Sequence, residues 1–219
     1  MAVTVLPFPD LPFEKFEMRP IAPQDISPME ERGTESADYG TAYWVLDAAQ
    51  TPKLTNEEVD VADTFFQQAS PALTVFECHD IYRPRPRAYG GTPLGGNRAN
   101  GSPFDGTATL SQITDSLTIN VSNLPAAFAI NKSCLVEIRK SPTVRSLHRV
   151  MSAAVANGSG VATLSIRHPL DTGVFTAANS IVVFEKPSCL MKLKPGWSLP
   201  KGRGDRRARF SAEEVFPYA

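Results

Sequence analysis

Ser146-Leu-His-Arg-Val-Met151, Asn157-Gly-Ser-Gly160 and Val161-Ala-Thr-Leu-Ser-Ile166 form the stretch that decides the fold. Val161, Thr163 and Ser165 alternate with Ala162, Leu164 and Ile166, the period of a half-buried strand. The Asn-Gly-Ser-Gly tetrapeptide supplies residues that tolerate positive φ, as a tight turn requires. The strand that begins at Ser146 and reaches Val155 is therefore expected to return antiparallel through Val161–Ile166 as a hairpin.

The same period recurs on either side. Ser116-Leu-Thr-Ile-Asn-Val121 places Leu117, Ile119 and Val121 on one face, and Cys134-Leu-Val-Glu-Ile-Arg139 reads as another strand. Ile181–Phe184 and Cys189–Leu193 are expected as a last strand or hairpin. Further back, Ala42–Asp47 and Leu73–His79 carry the aromatic and branched side chains that suit a pleated surface.

One segment departs from this pattern. Thr55 stands three residues before Glu58, the spacing of a capping box in which each side chain satisfies an orphan backbone donor. Val59, Ala62, Phe65, Phe66 and Ala69 then form an apolar stripe at helical spacing, with Glu57, Asp60, Asp63 and Gln67 opposite it. Pro71 ends the helix, which is expected over 55–70 and packed on a sheet. The expected fold class is thus mainly β: an antiparallel β-sandwich or small barrel with one packed α-helix and long loops.

Composition agrees. The chain has 219 residues, and its 42% hydrophobic and 21% charged content is that of a folded protein. Nineteen prolines favour many short elements over a few long helices. Six of them lie between Leu6 and Pro28 beside Phe8, Phe13 and Phe16, which suggests an extended arm over 1–28 that packs on its own domain or on a neighbour. The β-rich domain is expected over 29–193, with a long glycine- and asparagine-rich loop at 90–106 after Arg83-Pro-Arg-Pro-Arg87. A non-periodic stretch of that length is usually functional, disordered or ordered by a partner. Residues 194–219 form a basic C-terminal segment with Lys201, Arg203, Arg206, Arg207 and Arg209, suited to an acidic protein partner or to solvent.

The search for chemistry excludes more than it finds. A formal net charge of −1 gives no footprint for nucleic acid or an anionic membrane. Cys78, Cys134 and Cys189 sit in apolar contexts and read as buried thiols. Cys78 and His79, adjacent in a strand, face opposite ways and cannot chelate one ion. His148 reads as a packed or half-exposed strand residue, and His168 as a surface residue before Pro169. The glycines of 90–101 lack the lysine and serine of a phosphate loop. Glu30-Glu31 and Glu57-Glu58 have nothing that fixes a catalytic separation. Arg203-Gly-Asp205 is a chance tripeptide, and the sequons at Asn100 and Asn157 mark turns. No catalytic, cofactor-binding or metal residue is nominated, and no enzyme activity is expected. The start, Met1 to Asp10, lacks a basic segment and a long apolar run, and no apolar run approaches a membrane span, so a cytosol-made soluble protein is expected.

The order of features from Trp44 to Leu170 carries a resemblance. A tryptophan-bearing strand leads to Leu54-Thr55-x-x-Glu58 and its helix. An apolar strand ending in prolines (Phe76–Pro86) and a glycine-rich loop follow. Then come Leu147-His-Arg-Val150, Asn157-Gly-Ser-Gly160, Ala162-Thr-Leu-Ser-Ile166 and Pro169-Leu170. This resembles the distal-tail or minor-tail proteins of long-tailed bacteriophages, with His168 in place of the first proline of their usual Pro-Pro pair. The resemblance implies a virion structural protein at the tail tip, synthesised in the host cytoplasm. It would be a homohexameric ring whose β-sandwich carries a packed helix, with the tail tube on one face and the baseplate hub on the other. The arm and the 90–106 loop would reach neighbouring subunits. Within the structural class a tail-tube, tail-completion or baseplate subunit is the alternative, and outside it a carbohydrate-binding module presenting tyrosines and tryptophans.

Overall fold

The computed structural model describes residues 3–28, 34–38, 40–52, 54–71, 73–200 and 206–217. In chain order the elements begin with β1 (Thr4–Pro7), β2 (Phe13–Ile21), β3 (Gln24–Pro28), β4 (Thr34–Asp38) and β5 (Tyr43–Gln50), then α1 (Asn56–Ala69) and β6 (Thr74–His79). After a short 3-10 turn (Arg87–Tyr89) come β7 (Thr107–Asp115), β8 (Thr118–Ser122), β9 (Ala129–Ile130), β10 (Leu135–Ser141) and β11 (Val144–Val150). The last are β12 (Ala154–Val155), β13 (Ala162–Arg167), β14 (Ile181–Val183), β15 (Ser188–Leu193) and β16 (Arg209–Glu214). Among the described residues the protein is mainly β with one α-helix.

Two compact units share the chain. The first comprises Met1–Phe8, Val75–Leu190 and Phe216–Ala219; the second comprises Pro9–Thr74 and Met191–Val215. The boundaries expected at 28 and 193 do not separate them, because segments distant in sequence pair within each unit.

The first unit is built on a closed barrel of six strands in the order β10-β11-β13-β8-β7-β14, every pair antiparallel. Closure leaves the ring without a free hydrogen-bonding edge. Two tight hairpins, β7–β8 and β10–β11, supply four of the strands. In the first, Asp115 accepts the Leu117 N–H at 2.7 Å through its side chain, an Asx turn. Alternate residues fill the interior: Leu110, Ile119, Val121, Val136, Ile138, Leu164, Ile166 and Val182 are buried. Phe104, Phe128, Phe175 and Phe184 belong to the same core, with Phe128 edge-on to Phe104 and Phe184. It is a packed interior rather than a channel.

The hairpin expected about Asn157 is only partly realised. The turn is present: Asn157 Oδ1 accepts the Ser159 and Val161 N–H groups, each at 3.0 Å, and Gly160 has φ +70°. However, the incoming strand breaks after Val150. Residues 154–155 pair instead with Ile130 and Ala129, and β11 meets β13 only at Arg149↔Arg167 and Val150↔Ile166. The main partner of β13 is β8, from Ala162↔Val121 to Ser165↔Thr118. Ile181–Phe184 and Cys189–Leu193 likewise do not pair as a hairpin, since β14 closes the barrel and β15 lies outside it. Strand β7 was not expected at all.

The loop at 90–106 is anchored on its own barrel. Phe104 is buried in the core and Arg98 lies over its ring at 5.5 Å while donating to Asp105 at 3.0 Å. Leu94 N–H donates to Glu185 Oε2 at 3.0 Å, and Ala99 N–H to Leu124 O at 3.0 Å.

In the second unit, β2, β5, β16 and the Met191–Leu193 half of β15 form antiparallel neighbours. Phe13–Ile21 is therefore a strand with Phe16 buried, so this part of the expected arm packs within its own unit. The basic C-terminal segment likewise contributes β16, which places Phe210 and Ala212 in the core. Helix α1 forms where expected. Thr55 Oγ1 accepts the Glu58 N–H at 3.2 Å, and Glu58 Oε2 accepts the Thr55 N–H at 2.7 Å. Ala62, Phe65, Phe66 and Ala69 are buried, with Phe66 stacked on Trp197 and edge-on to Phe210. No basic residue occupies its last turn. Instead Lys192 donates from β15 to the carbonyls of Ala69 (3.2 Å), Pro71 and Thr74 (3.0 Å), supplying a cation where the helix leaves acceptors unpaired.

Strands β3 and β4 form a separate two-stranded sheet, from Gln24↔Asp38 to Pro28↔Thr34.

Candidate functional site

The residues weighed for chemistry are dispersed. Cys78, Cys134 and Cys189 are free and buried. Burial, with the Asp80 carboxylate adding to it, raises the Cys78 thiol far above the ordinary thiol range, so it carries no thiolate. His148 is buried on β11, its Nε2 2.9 Å from Ser146 Oγ and its Nδ1 3.2 Å from the His168 carbonyl. Burial lowers its pKa to about 4, so the ring is neutral at pH 7. His168, half-buried, is lowered as well, first by burial and then by the Arg167 and Arg149 charges. Asn100 Oδ1 accepts the Ser102 N–H, so both sequons are turns. Glu58 is spent on the capping box. Glu30, Glu31 and Arg203-Gly-Asp205 lie outside the described residues. Arg206 donates to Asn56 at 2.5 Å and Arg207 to Glu14 at 3.0 Å, so two members of the basic cluster have partners within their own unit. No group of three or more His, Cys, Asp or Glu among the described residues could hold a metal.

Two charged constellations were not nominated from sequence, and both lie in the first unit. On the outer face of the barrel, Glu137 is fully buried. It accepts from Arg139 Nε at 2.5 Å and Nη2 at 2.9 Å, and from the Ser188 N–H at 2.9 Å. Arg145, also buried, stands 3.6 Å from the same carboxylate and donates to Glu77 (3.0 Å), Ser188 Oγ (2.8 Å) and the Pro142 carbonyl. Arg139 and Arg145 are direct cross-strand partners, so Glu137 offsets a like-charge pair that would otherwise oppose the hairpin. Every bond runs to a fixed protein group. The cluster is built to hold strands.

The second constellation opens to solvent. The run Arg83-Pro-Arg-Pro-Arg87 is held extended by its prolines. Its middle guanidinium is drawn into a bidentate pair with Glu185, at 2.5 Å and 3.0 Å, and is nearly buried. Arg83 and Arg87 stay exposed. Together with Lys132 and Arg149 they line a cavity of about 580 Å³ that also includes Ser133 and Tyr82. Ser133 has φ +69°, a left-handed turn that carries the chain from Lys132 into β10. Burial and the neighbouring Arg83 charge lower the Arg149 pKa, and Asp80 only partly opposes this. None of the lining residues is acidic. Arg85 is matched by Glu185 and the Asp80 carboxylate acts on Arg149, while the lining as a whole stays cationic. It can hold an anion; it contains no nucleophile set beside a base.

Neither a protein-family model nor a curated protein matches the chain. No helix among the described residues is long and apolar enough to cross a membrane.

A buried acid in the second unit gives a pH prediction. Glu214 lies at the end of β16, where Oε2 accepts the Trp44 N–H at 2.9 Å. Burial raises its pKa to about 8, against which that single hydrogen bond works. The folded form thus holds a proton that the unfolded chain releases near the ordinary carboxylate pKa. Stability from this group is complete below that value and is lost as pH rises to about 8. Each pH unit in the window costs on the order of 1.4 kcal/mol. Glu214→Gln is expected to match the native chain near pH 4.5 and to exceed it progressively up to pH 8 in urea titrations. Parallel curves would refute the assignment.

Proposed function

We propose that this protein is a non-catalytic structural subunit of a long-tailed bacteriophage tail that forms the distal-tail ring between tail tube and baseplate hub. The observation that carries this reading is a pair of unclosed β edges in consecutive segments. Strand β2 stands last in its sheet, with a described neighbour on one side only, and β3–β4 pairs with no other described strand. A two-stranded hairpin is marginal in water without further cover, and an open edge is a template for another chain. Ring subunits use such features, because a heterologous interface repeated by rotation closes on itself. The β-rich architecture with a helix on a sheet, and the order of motifs from Trp44 to Leu170, support the same reading.

A carbohydrate-binding module fits less well. It needs an exposed aromatic platform, whereas Trp44 is buried, Trp197 stacks on Phe66, and Tyr89 stacks on Phe128 and accepts the Ala129 N–H. Among the described tyrosines and tryptophans only Tyr82 is prominently exposed.

Light scattering and negative-stain imaging of the full chain test the proposal. The expected result is a closed particle of six 23.8-kDa chains with six-fold symmetry. A particle with another symmetry, or a chain that stays monomeric both alone and with purified tail tubes, would sink it.

A further inference from the structure

Three segments of the first unit build the cavity lined by Arg83, Arg87 and Lys132. The first is the run from Tyr82 to Gly90. Its Arg83 N–H donates to the Asp80 carbonyl at 3.1 Å, and its Ala88 N–H donates to Asn131 Oδ1 at 2.8 Å. Arg85 in the middle of the run is locked on Glu185 by three hydrogen bonds, at 2.5, 3.0 and 3.2 Å. The second segment is the turn from Asn131 to Cys134, closed by Cys134 N–H on the Asn131 carbonyl at 3.2 Å. The third is β11, joined to that turn by Ser133 N–H on the Val150 carbonyl at 2.8 Å. The backbone around the cavity is thus fixed before any ligand arrives, which lowers the cost of binding.

Charge and size define what enters. Arg85 is matched by Glu185, and the Asp80 carboxylate acts on Arg149. Arg83, Arg87 and Lys132 are exposed, and no carboxylate among the described residues pairs with any of the three. Cations held together at a fixed place favour an anion of more than one charge. The volume of about 580 Å³ is that of a pocket for a small organic molecule, far more than one oxyanion fills. Beside the cations the lining offers the Ser133 hydroxyl, the ring of the exposed Tyr82 and little apolar surface beyond Pro84 and Cys134. One aromatic face and a polar wall suit a sugar better than a nucleobase, which is held between apolar faces.

We propose that this cavity binds a phosphate monoester of a small sugar, with Arg83, Arg87 and Lys132 on the phosphate and Tyr82 and Ser133 against the sugar. A phosphate monoester carries close to two negative charges at neutral pH and three terminal oxygens. Two guanidinium forks and an ammonium group engage those oxygens from different segments at once. A carboxylate has only two oxygens, in one plane. The site is independent of ring assembly, so the mass of the chain in solution bears on the ring alone and the two readings fail separately.

Isothermal titration calorimetry of the full chain tests the site, with glucose-6-phosphate as probe and glucose, inorganic phosphate, succinate and AMP as comparisons. The sugar phosphate is expected to bind once per chain, about tenfold more tightly than inorganic phosphate or succinate, and glucose alone gives no heat. Lys132→Gln weakens binding about tenfold, and Arg83→Gln with Arg87→Gln weakens it further, because each removes charge-assisted hydrogen bonds. Tyr82→Ala abolishes the preference for the ester over inorganic phosphate. Lys140→Gln, an exposed cation of β10 outside the cavity, leaves the affinity unchanged. Raising salt weakens the native interaction. Thermal melts confirm that each variant is folded, and Lys132→Gln alone carries the comparison if the double arginine variant is not.

The proposal is overturned if the sugar phosphate does not bind, or binds the native chain and the Lys132 variant equally. It is overturned as well if succinate or inorganic phosphate binds as tightly as the ester, which would mark an unselective anion site. AMP binding more tightly than the sugar phosphate would overturn the assignment of a sugar.

Discussion

Glu137→Ala is expected to destabilise the barrel by about 3–5 kcal/mol, the cost of removing one partner from a buried ion network. The carboxylate is fully buried and joins Arg139, Arg145 and the Ser188 N–H. Alanine leaves two arginines facing each other across the β10–β11 pair with only the half-exposed Glu77 to offset them, and it strands the Ser188 donor. Both effects act in the same direction. The loss arises from uncompensated charge rather than from missing attraction, so removing the charges together should hurt less. A chain with Glu137→Leu, Arg139→Met and Arg145→Met is expected to recover at least half of the stability lost in Glu137→Leu alone, as urea midpoints at constant slope would report. If the triple variant is less stable than the single, the network stabilises by net attraction and the argument fails.

Gly160→Ala is the second large effect, at about 2–4 kcal/mol. Gly160 has φ +70°, and a Cβ there would lie 2.1 Å from the Leu124 carbonyl oxygen and 3.0 Å from Ala99 Cβ. That oxygen accepts the Ala99 N–H, while Leu124 N–H donates to Gly160 O. Making room for the methyl group breaks the bonds that tie the 90–106 loop and the end of β8 to the turn. Gly158→Ala in the same tetrapeptide meets nothing within 4 Å and has no positive φ. It should stay within about 0.5 kcal/mol. Thermal unfolding of the two variants side by side decides the matter: equal losses would show that backbone freedom, not the Leu124 contact, sets the cost.

These two sites mark where sequence stops being informative. Asn157-Gly-Ser-Gly160 announces a turn, because glycine and asparagine tolerate the required dihedrals. It cannot say which glycine touches another segment, since Leu124 and Ala99 are distant in the chain. Val136, Glu137 and Ile138 announce a strand. Nothing local says that Glu137 is buried, because Ser188 lies 51 positions away. The same holds for the cavity. Arg83-Pro-Arg-Pro-Arg87 is conspicuous, but Lys132 and Arg149 join it only through the barrel, and the pairing of Arg85 with Glu185 spans 100 positions.

Some strands were hidden for related reasons. In β7, Thr107-Ala-Thr-Leu-Ser-Gln-Ile-Thr-Asp115, only Ala108 and Leu110 are buried, too short an apolar signal to stand out. In β2, Phe13-Glu-Lys-Phe-Glu-Met-Arg-Pro-Ile21 is charged and contains Pro20, which a strand tolerates at a sheet edge. In β16, Phe210 and Ala212 are set among Arg209, Glu213 and Glu214, and the segment reads as polar.

The sequence by itself determined what rests on neighbours within a few positions. The capped helix from Thr55 to Ser70, the period-two strands and the turn at Asn157 are local matters of hydrogen bonding and side-chain alternation. Mainly-β class follows from their sum. The tertiary structure alone decided which strands pair. It broke the expected hairpin after Val150, gave β13 to β8, closed the barrel through β14, and drew β2 and β16 into one sheet. Strand pairing exchanges equivalent backbone bonds among many partners, so the burial of whole faces selects the register, and that is a property of the assembled core.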